Sequence, residues 1–322
     1  MERREFIKNC ITGCAWTLLA AGSYVNLNKF TYNLKYYRKE KFRKKQNIRY
    51  ISNIEIPLSE HCNLNCKYCN HFSNIAEPGF YDFEKFKEDI ILLKKVTQKQ
   101  ENLKNITLTG GEPLLNEKIS EYIMFLRGQF PETEIELSTN GLFLDKQDNL
   151  FYKTVHETNT ALIISNYDSD INWNGILKKL NDYDINKFGI YYNTAFIGEK
   201  ITPMLAEETK ITNFYKYNLN IKGTEKIQER FESCFFRYFM NQLKNGKIYP
   251  CPVIANVEHL NKKFNVDFKV TQNDYIDLTK VRKFKDILKF LDKPPEFCKY
   301  CGKFKESVNW EISSNPDISE WT

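Results

Sequence analysis

Between residues 51 and 220, short apolar runs alternate with segments whose apolar residues recur at helical spacing. Ile54-Glu55-Ile56-Pro57-Leu58 predicts a first strand. Asp82 stands at a capping position ahead of Phe86, Ile90, Leu93 and Val96, which mark the helix that follows. Ile106-Thr107-Leu108 reads as a second strand running into Gly110-Gly111, and Ile119, Tyr122, Ile123 and Leu126 as the next helix. Ile135 to Ser138 is a third strand ending before Asn140-Gly141, and Ala161 to Ser165 a fourth. A helix near Ile176 to Leu180 leads to Phe188 to Tyr192 as the fifth strand, and Phe214 to Leu219 is expected as the sixth. Such alternation calls for a parallel sheet with crossover helices, either open or closed into a full or partial barrel. The expectation from this pattern is an α/β fold over residues 51–220. Residues 221–322 are expected to form a small cysteine-rich α+β extension, with short strands around Gly246 making a hairpin that presents Cys251.

The first fifty residues follow a different pattern. Arg3-Arg4 precedes an uncharged stretch from Asn9 to Asn28, only moderately apolar and so marginal as a spanning helix, but similar to a twin-arginine export signal. Residues 1–28 therefore read as a signal or membrane anchor. Ile11-Thr12-Gly13-Cys14 also looks like a lipoprotein cleavage box, set early in the apolar run. Residues 29–50 form a basic linker, in which Lys35 to Arg49 suits either a juxtamembrane segment on anionic lipid or a solvated helix. This changes the meaning of the net charge. The chain of 322 residues carries 47 Lys plus Arg against 41 Asp plus Glu, but twelve of those basic residues and only three of the acidic ones fall in residues 1–50. The body is left slightly acidic, which gives a nucleic-acid partner little support.

The nine cysteines are clustered. Cys10 and Cys14 lie in the leader, Cys62, Cys66 and Cys69 within eight residues, and Cys234, Cys251, Cys298 and Cys301 in the last third. An odd and sparse set in a long chain does not read as a disulfide scaffold; clustered thiols of this kind more often hold metal. Cys62-Asn63-Leu64-Asn65-Cys66-Lys67-Tyr68-Cys69 has the spacing C-x3-C-x2-C, and three thiolates on one loop can ligate three irons of a 4Fe-4S cluster while leaving the fourth open. Zinc would require a fourth ligand, which His61 or His71 could supply. In parallel α/β folds chemistry gathers at the carboxyl ends of the strands. The cysteine loop, Gly110-Gly111-Glu112-Pro113, Ser138 to Gly141 and Ser165-Asn166 all fall there.

On these residues the chain resembles the radical S-adenosylmethionine (SAM) superfamily over about residues 51–220, which implies that this part is a partial (β/α)6 TIM-like barrel. The resemblance implies that Cys62, Cys66 and Cys69 hold a 4Fe-4S cluster whose open iron is chelated by the methionyl group of SAM. Reductive cleavage then yields a 5'-deoxyadenosyl radical that abstracts hydrogen from substrate. It implies that Tyr68 lies near the adenine, and that Gly110, Gly111, Glu112 and Pro113 form the segment facing the methionyl amine, with Glu112 as acceptor. Ser138 and Asn140 would face the ribose hydroxyls and Ser165 the methionyl carboxylate. For Ser138, Asn140 and Ser165 a capping or turn role is the alternative. The partner such chemistry needs is a low-potential electron donor of the flavodoxin or ferredoxin type.

The last four cysteines resemble the auxiliary-cluster domain, Twitch or more loosely SPASM, that follows some of these cores. Cys234, Cys251, Cys298 and Cys301 would close a second 4Fe-4S cluster, although a four-cysteine zinc site has the same ligand count. Cys69-Asn70-His71-Phe72-Ser73 with Ala76-Glu77-Pro78, and the pair in Phe297-Cys298-Lys299-Tyr300-Cys301, resemble a subgroup associated with bacterial surface-polysaccharide gene clusters. His71 and Ser73 would then face substrate or merely brace the loop. The expected activity is hydrogen abstraction from a carbohydrate carbon. Modification of a peptide or protein side chain is the other enzyme reading, and a membrane-associated iron-sulfur electron carrier or zinc-stabilised binding protein is the reading from another class. His259 stands isolated in the sequence, and His156 suits a surface or capping role. SAM and low-potential electrons are cytoplasmic supplies, so the body is expected in the cytoplasm, tethered at the membrane by the N-terminus, with twin-arginine export as the alternative.

Overall fold

In the computed structural model, the described residues are 50–322 apart from 168–170, 193–194, 199–205, 207–208, 235, 239 and 303–305. The arginine pair, Cys10, Cys14 and the expected signal and linker lie outside them. The first strand forms as β1 (Ile51–Ser59). Ile54, Ile56 and Leu58 alternate into the core with no exposed surface, as the two-residue period of a strand requires. Asp82 caps α1 (Phe83–Thr97), its Oδ1 accepting the Lys85 N–H at 2.9 Å, and Phe86, Ile90, Leu93 and Val96 form the buried stripe. There follow β2 (Leu103–Gly110), α2 (Ile119–Gln129), β3 (Glu134–Thr139), α3 (Asn149–Glu157), β4 (Ala161–Ser165), α4 (Trp173–Asp182) and β5 (Phe188–Tyr192). The sequence reading did not single out α3, although Asp148 caps it at Phe151 N–H (2.8 Å) and Phe151, Tyr152 and Val155 bury one face.

The strands β1 to β5 pair parallel in sequence order. The sixth strand differs from expectation. After β5 the chain returns as β6 (Ala195–Gly198), antiparallel to it, because two intervening residues allow a hairpin and not a crossover. Within the expected Phe214 to Leu219 run, β7 (Asn213–Lys216) leaves the main sheet and pairs antiparallel with β11 (Glu306–Asn309). The sixth parallel strand is instead β8 (Asn241–Lys244), which follows α5 (Ile227–Ser233) and lies beside β1. The predicted hairpin is formed by β8 and β9 (Lys247–Tyr249), turning at Asn245 and Gly246, both at positive φ, as two-residue hairpin turns favour. Beyond it come α6 (Pro252–Phe264), β10 (Ile276–Asp277) and α7 (Phe284–Leu291). Among the described residues the main sheet is nine-stranded, ordered β10-β9-β8-β1-β2-β3-β4-β5-β6. The sheet thus continues across residue 220.

Two apolar cores result. The larger packs helices against one face of the sheet. The smaller joins Phe72, from the loop after the cysteines, to Leu219, Phe236, Cys251, Val257, Phe297 and Trp321. Among the described residues no helix is long and apolar enough to cross a membrane.

Candidate metal and cofactor site

β1 delivers the cysteine loop at its carboxyl end, where Tyr68 and Phe72, either side of Cys69, take single left-handed turns (φ 61° and 56°). Cys66 is buried and Cys62 and Cys69 are half-buried. Each sulfur meets a donor. Leu64 N–H reaches Cys62 Sγ at 3.4 Å, the Trp310 indole Nε1–H reaches Cys66 Sγ at 3.2 Å, and backbone N–H groups of residues 71–74 surround Cys69. Burial nevertheless raises all three thiols, Cys66 to about 12. Without a metal cation they stay protonated at neutral pH; a bound metal turns them into the thiolates those donors suit. Of the two histidines that zinc could use, His61 Nδ1 lies 3.3 Å from Gly79 N–H and His71 Nε2 lies 3.5 Å from the Glu55 carboxylate. Among the described residues no three His, Cys, Asp or Glu side chains close around a single ion. Three donor-supplied sulfurs on one loop fit a cluster with one open iron.

The Gly-Gly-Glu-Pro segment packs directly on this loop. A Cβ at Gly110 would lie 2.4 Å from the Ser59 carbonyl oxygen, and one at Gly111 2.0 Å from that of His61. Gly111 N–H donates to Ser59 O (2.8 Å) and Glu112 N–H to His61 O (3.1 Å). The space the glycines leave is therefore occupied by the cysteine loop itself. Glu112 is fully buried. Its Oε1 accepts from Leu114 N–H (2.9 Å) and the Thr139 hydroxyl (2.7 Å), and its Oε2 from Asn140 N–H (2.8 Å). Burial raises this carboxyl to about 7 despite those three donors. Glu112 thus braces the end of β2 to the end of β3, with the second lone pair of Oε2 left over. Pro113 opens the short 3-10 turn that follows.

Asn140 extends the brace. Its Nδ2 donates to Asn63 Oδ1 at 2.8 Å, inside the C-x3-C spacing, while its Oδ1 caps Leu142 N–H at 3.1 Å. Ser138 and Ser165 are half-buried at the ends of β3 and β4, in register with Ile163 and Tyr191 respectively. The neighbour Asn166 is the buried one, holding the carbonyls of Ala206 (2.6 Å) and Thr209 (2.5 Å). Tyr68 is half-buried with Lys216 Nζ 5.9 Å from its ring centre.

Opposite the apolar core, the sheet carries polar side chains that the sequence reading did not single out. Glu55, Thr107 and Glu136 sit side by side on β1, β2 and β3. Asn105 Nδ2 donates to Glu136 Oε2 at 2.8 Å, and the Thr107 hydroxyl lies 3.1 Å from Asn53 Oδ1 and 3.2 Å from Glu136 Oε2. Burial raises Glu136, and Glu55 is only 8% exposed. His259, isolated in the sequence, has Nε2 2.8 Å from Glu60, which also pairs with Lys244 Nζ at 2.8 Å. His156 is exposed in the last turn of α3, Nδ1 3.3 Å from the Asp184 carbonyl oxygen.

The four later cysteines come together. Cys234 follows the end of α5, Cys251 immediately precedes α6, Cys298 lies within a short 3-10 turn (Glu296–Tyr300) and Cys301 ends it; all four residues line one cavity of about 50 Å³, with Arg230 and Arg237 on its wall. Backbone N–H groups of Val253 and Ile254 face Cys251, and those of Phe236 and Arg237 face Cys234. Cys301 is raised first by its hydrogen bond with Cys298 and then by burial.

A further set of contacts comes from residues 310–321, which lie over the first cysteine loop. Besides the Trp310 bond, Lys67 N–H donates to Glu311 O (2.9 Å), Ser313 N–H to Asn65 O (2.6 Å), and the Trp321 indole N–H to Cys69 O (3.0 Å). Tyr167 stacks on Trp310 at 5.4 Å. The only signal for this in the sequence is that a buried tryptophan N–H needs an acceptor.

Comparison with known proteins agrees with the C-x3-C-x2-C region. The family model described as Radical SAM superfamily matches residues 56–161. A GTP 3',8-cyclase of Helicobacter pylori (strain ATCC 700392 / 26695) is 34% identical over 100 residues, 30% of each chain. One of Sulfurovum sp. (strain NBC37-1) is 30% identical over 99 residues, 30% of this chain and 29% of that one. The chain thus spans under a third of the length of these curated relatives. Among solved structures, BtrN in complex with AdoMet and 2-DOIA covers 79% of this chain and 94% of its own at 17% identity, with a TM-score of 0.48.

Proposed function

We propose that this chain, which carries a radical SAM domain over residues 56–161, is a radical SAM enzyme acting on a hydroxyl-rich, carbohydrate-like substrate. The observation that carries the reading is the loop-on-loop packing at Cys62, Cys66 and Cys69, where every sulfur has a donor and Glu112 ties the Gly-Gly-Glu-Pro segment to β3. A 4Fe-4S cluster with SAM supplies one-electron cleavage and a hydrogen-abstracting radical when bound. This chain's residues do the rest. Cys62, Cys66 and Cys69 hold the cluster. Glu112, kept rigid by three internal donors, offers its remaining lone pair to the methionyl amine, while Gly110, Gly111 and Pro113 hold the segment close. Asn140, Ser138 and Ser165 line the strand ends for the ribose and carboxylate, and Tyr68 flanks the adenine. The polar row Glu55, Thr107 and Glu136, with Asn53 and Asn105, supports the carbohydrate reading because it offers both carboxylate and amide partners to hydroxyls or an amino group.

A second 4Fe-4S cluster at Cys234, Cys251, Cys298 and Cys301 belongs to the same proposal. It is supported by one cavity lined by all four cysteines and by two arginines that offset the charge of four thiolates. A low-potential flavodoxin- or ferredoxin-type donor and a membrane tether through residues 1–28, with the body in the cytoplasm, complete it. Anaerobic reconstitution followed by dithionite and SAM tests the core reading. The expected product is 5'-deoxyadenosine, absent from Cys62→Ala; an intact cluster that yields none refutes the reading. Iron content tests the second cluster, expected to fall by about half in Cys234→Ala; an unchanged value with bound zinc refutes it.

A further inference from the structure

We propose that Trp310 sets the reduction potential of the cluster held by Cys62, Cys66 and Cys69, through its indole N–H bond to Cys66 Sγ. The inference rests on the cluster reading given above. The donor comes from 244 residues away and lies 3.2 Å from the sulfur. It is fixed from three sides. Tyr167 stacks on the indole at an interplanar angle of 26°. Trp310 N–H donates to Thr212 O at 2.9 Å, and β11, immediately before it, is paired along its length with β7. On the other flank, Cys66 and Ile312 form an antiparallel bridge. The indole is thereby held on the sulfur by contacts that do not involve the sulfur.

The direction follows from charge. Reduction adds one electron to the cluster, and part of that charge resides on the ligating sulfurs. An N–H dipole aimed at Cys66 favours the more negative state, so the bond raises the potential and eases electron entry. Trp321 provides an internal contrast. It lies in the same segment and over the same loop, but its N–H donates to the backbone carbonyl of Cys69 at 3.0 Å, so it shields the site without touching a sulfur.

The experiment is a potentiometric titration of the anaerobically reconstituted full-length chain, following the reduced-cluster EPR signal that changes on adding SAM. That signal belongs to the cluster with the open iron. Trp310→Phe is expected to lower the midpoint, shifting the reduction equilibrium by about three- to tenfold, at most about 59 mV for one electron. Trp321→Phe is expected to leave it within about twofold, or about 18 mV by the same constant. Should Trp310→Phe fail to hold the cluster, benzothienylalanine at position 310 keeps the shape of the indole and removes only the donor, and the same downward shift is expected. An unmoved or raised midpoint in the Trp310 variants overturns the inference, as does an equal shift from Trp321→Phe, which would assign the effect to coverage of the loop. A wild-type chain without a SAM-sensitive cluster signal removes the parent reading together with this one. A normal cluster of unchanged potential in the variant removes this one alone.

Discussion

The same change, glycine to alanine, should have opposite effects at two positions of this chain. At Gly111 an added Cβ would sit 2.0 Å from the His61 carbonyl oxygen, 2.3 Å from its carbon and 2.7 Å from Cys62 N. All three are backbone atoms, so no side chain can swing aside. The end of β2 must retreat from the cysteine loop, losing the Gly111–Ser59 and Glu112–His61 bonds. Two backbone bonds at about 1 kcal/mol each and an overpacking cost of about 1–3 kcal/mol give about 3–5 kcal/mol, a large part of the roughly 5–15 kcal/mol that holds a domain together. At Gly128, exposed near the end of α2, a Cβ meets nothing within 4 Å. There alanine should gain about 0.5–1 kcal/mol from lower backbone entropy in the unfolded chain. With a urea dependence of about 3 kcal/mol/M, Gly111→Ala should lower the unfolding midpoint by about 1 M or more, and Gly128→Ala should raise it by about 0.2–0.3 M. A Gly111→Ala midpoint within about 0.3 M of wild type would refute the close packing of the two loops.

Lys244 is buried to 7% exposure between Glu60, His259 and Asn256. Burial alone would raise Glu60, but His259 and Lys244 outweigh it and bring the carboxyl down to about 2. Its contribution to stability is therefore present above about pH 4.5 and lost as pH falls toward 2. Lys244→Met should cost about 1–3 kcal/mol at pH 7 and distinctly less at pH 3, read from urea midpoints; an equal cost at both would sink the reasoning. Glu112 has the opposite sign. Its carboxyl is raised to about 7, so its favourable contribution is full below about pH 4.5 and disappears as pH rises through 7. In the metal-free chain Glu112→Gln should be most destabilising at pH 5, where an amide nitrogen replaces an oxygen that accepts from Asn140, and least at pH 8, where it removes a buried charge. A pH-independent difference would count against it.

Much of the parallel sheet was legible because the information is local. Asp82 caps α1 within its own turn, and Ile54, Ile56 and Leu58 alternate within one strand. The alternation also located the cysteine loop and the Gly-Gly-Glu-Pro segment at neighbouring strand ends. What the sequence left unread depends on distant pairing. Phe214 has strand character, but whether that strand joins β5 or β11 is decided by a segment nearly a hundred residues later. His259 looked solitary because Glu60 lies 199 positions away. Gly110 and Gly111 were legible as a glycine pair at a strand end, yet what packs against them is the chain itself, which only the folded loop reveals.

The segment over the cysteine loop also has a consequence in time. Trp310 is made 244 residues after Cys66, a delay on the order of 10 to 50 seconds at about 5–20 residues per second of synthesis. Once the cysteine loop has emerged from the ribosome, and until residues 310–321 follow it, the three cysteines lack the Trp310 and Trp321 contacts. A chain not yet extended to residue 310 therefore presents an open, oxidisable loop, and only one that has passed residue 321 can present a covered site. A cluster added only after residues 310–321 have docked would enter chains whose cysteine loop is already covered, in preference to shorter ones.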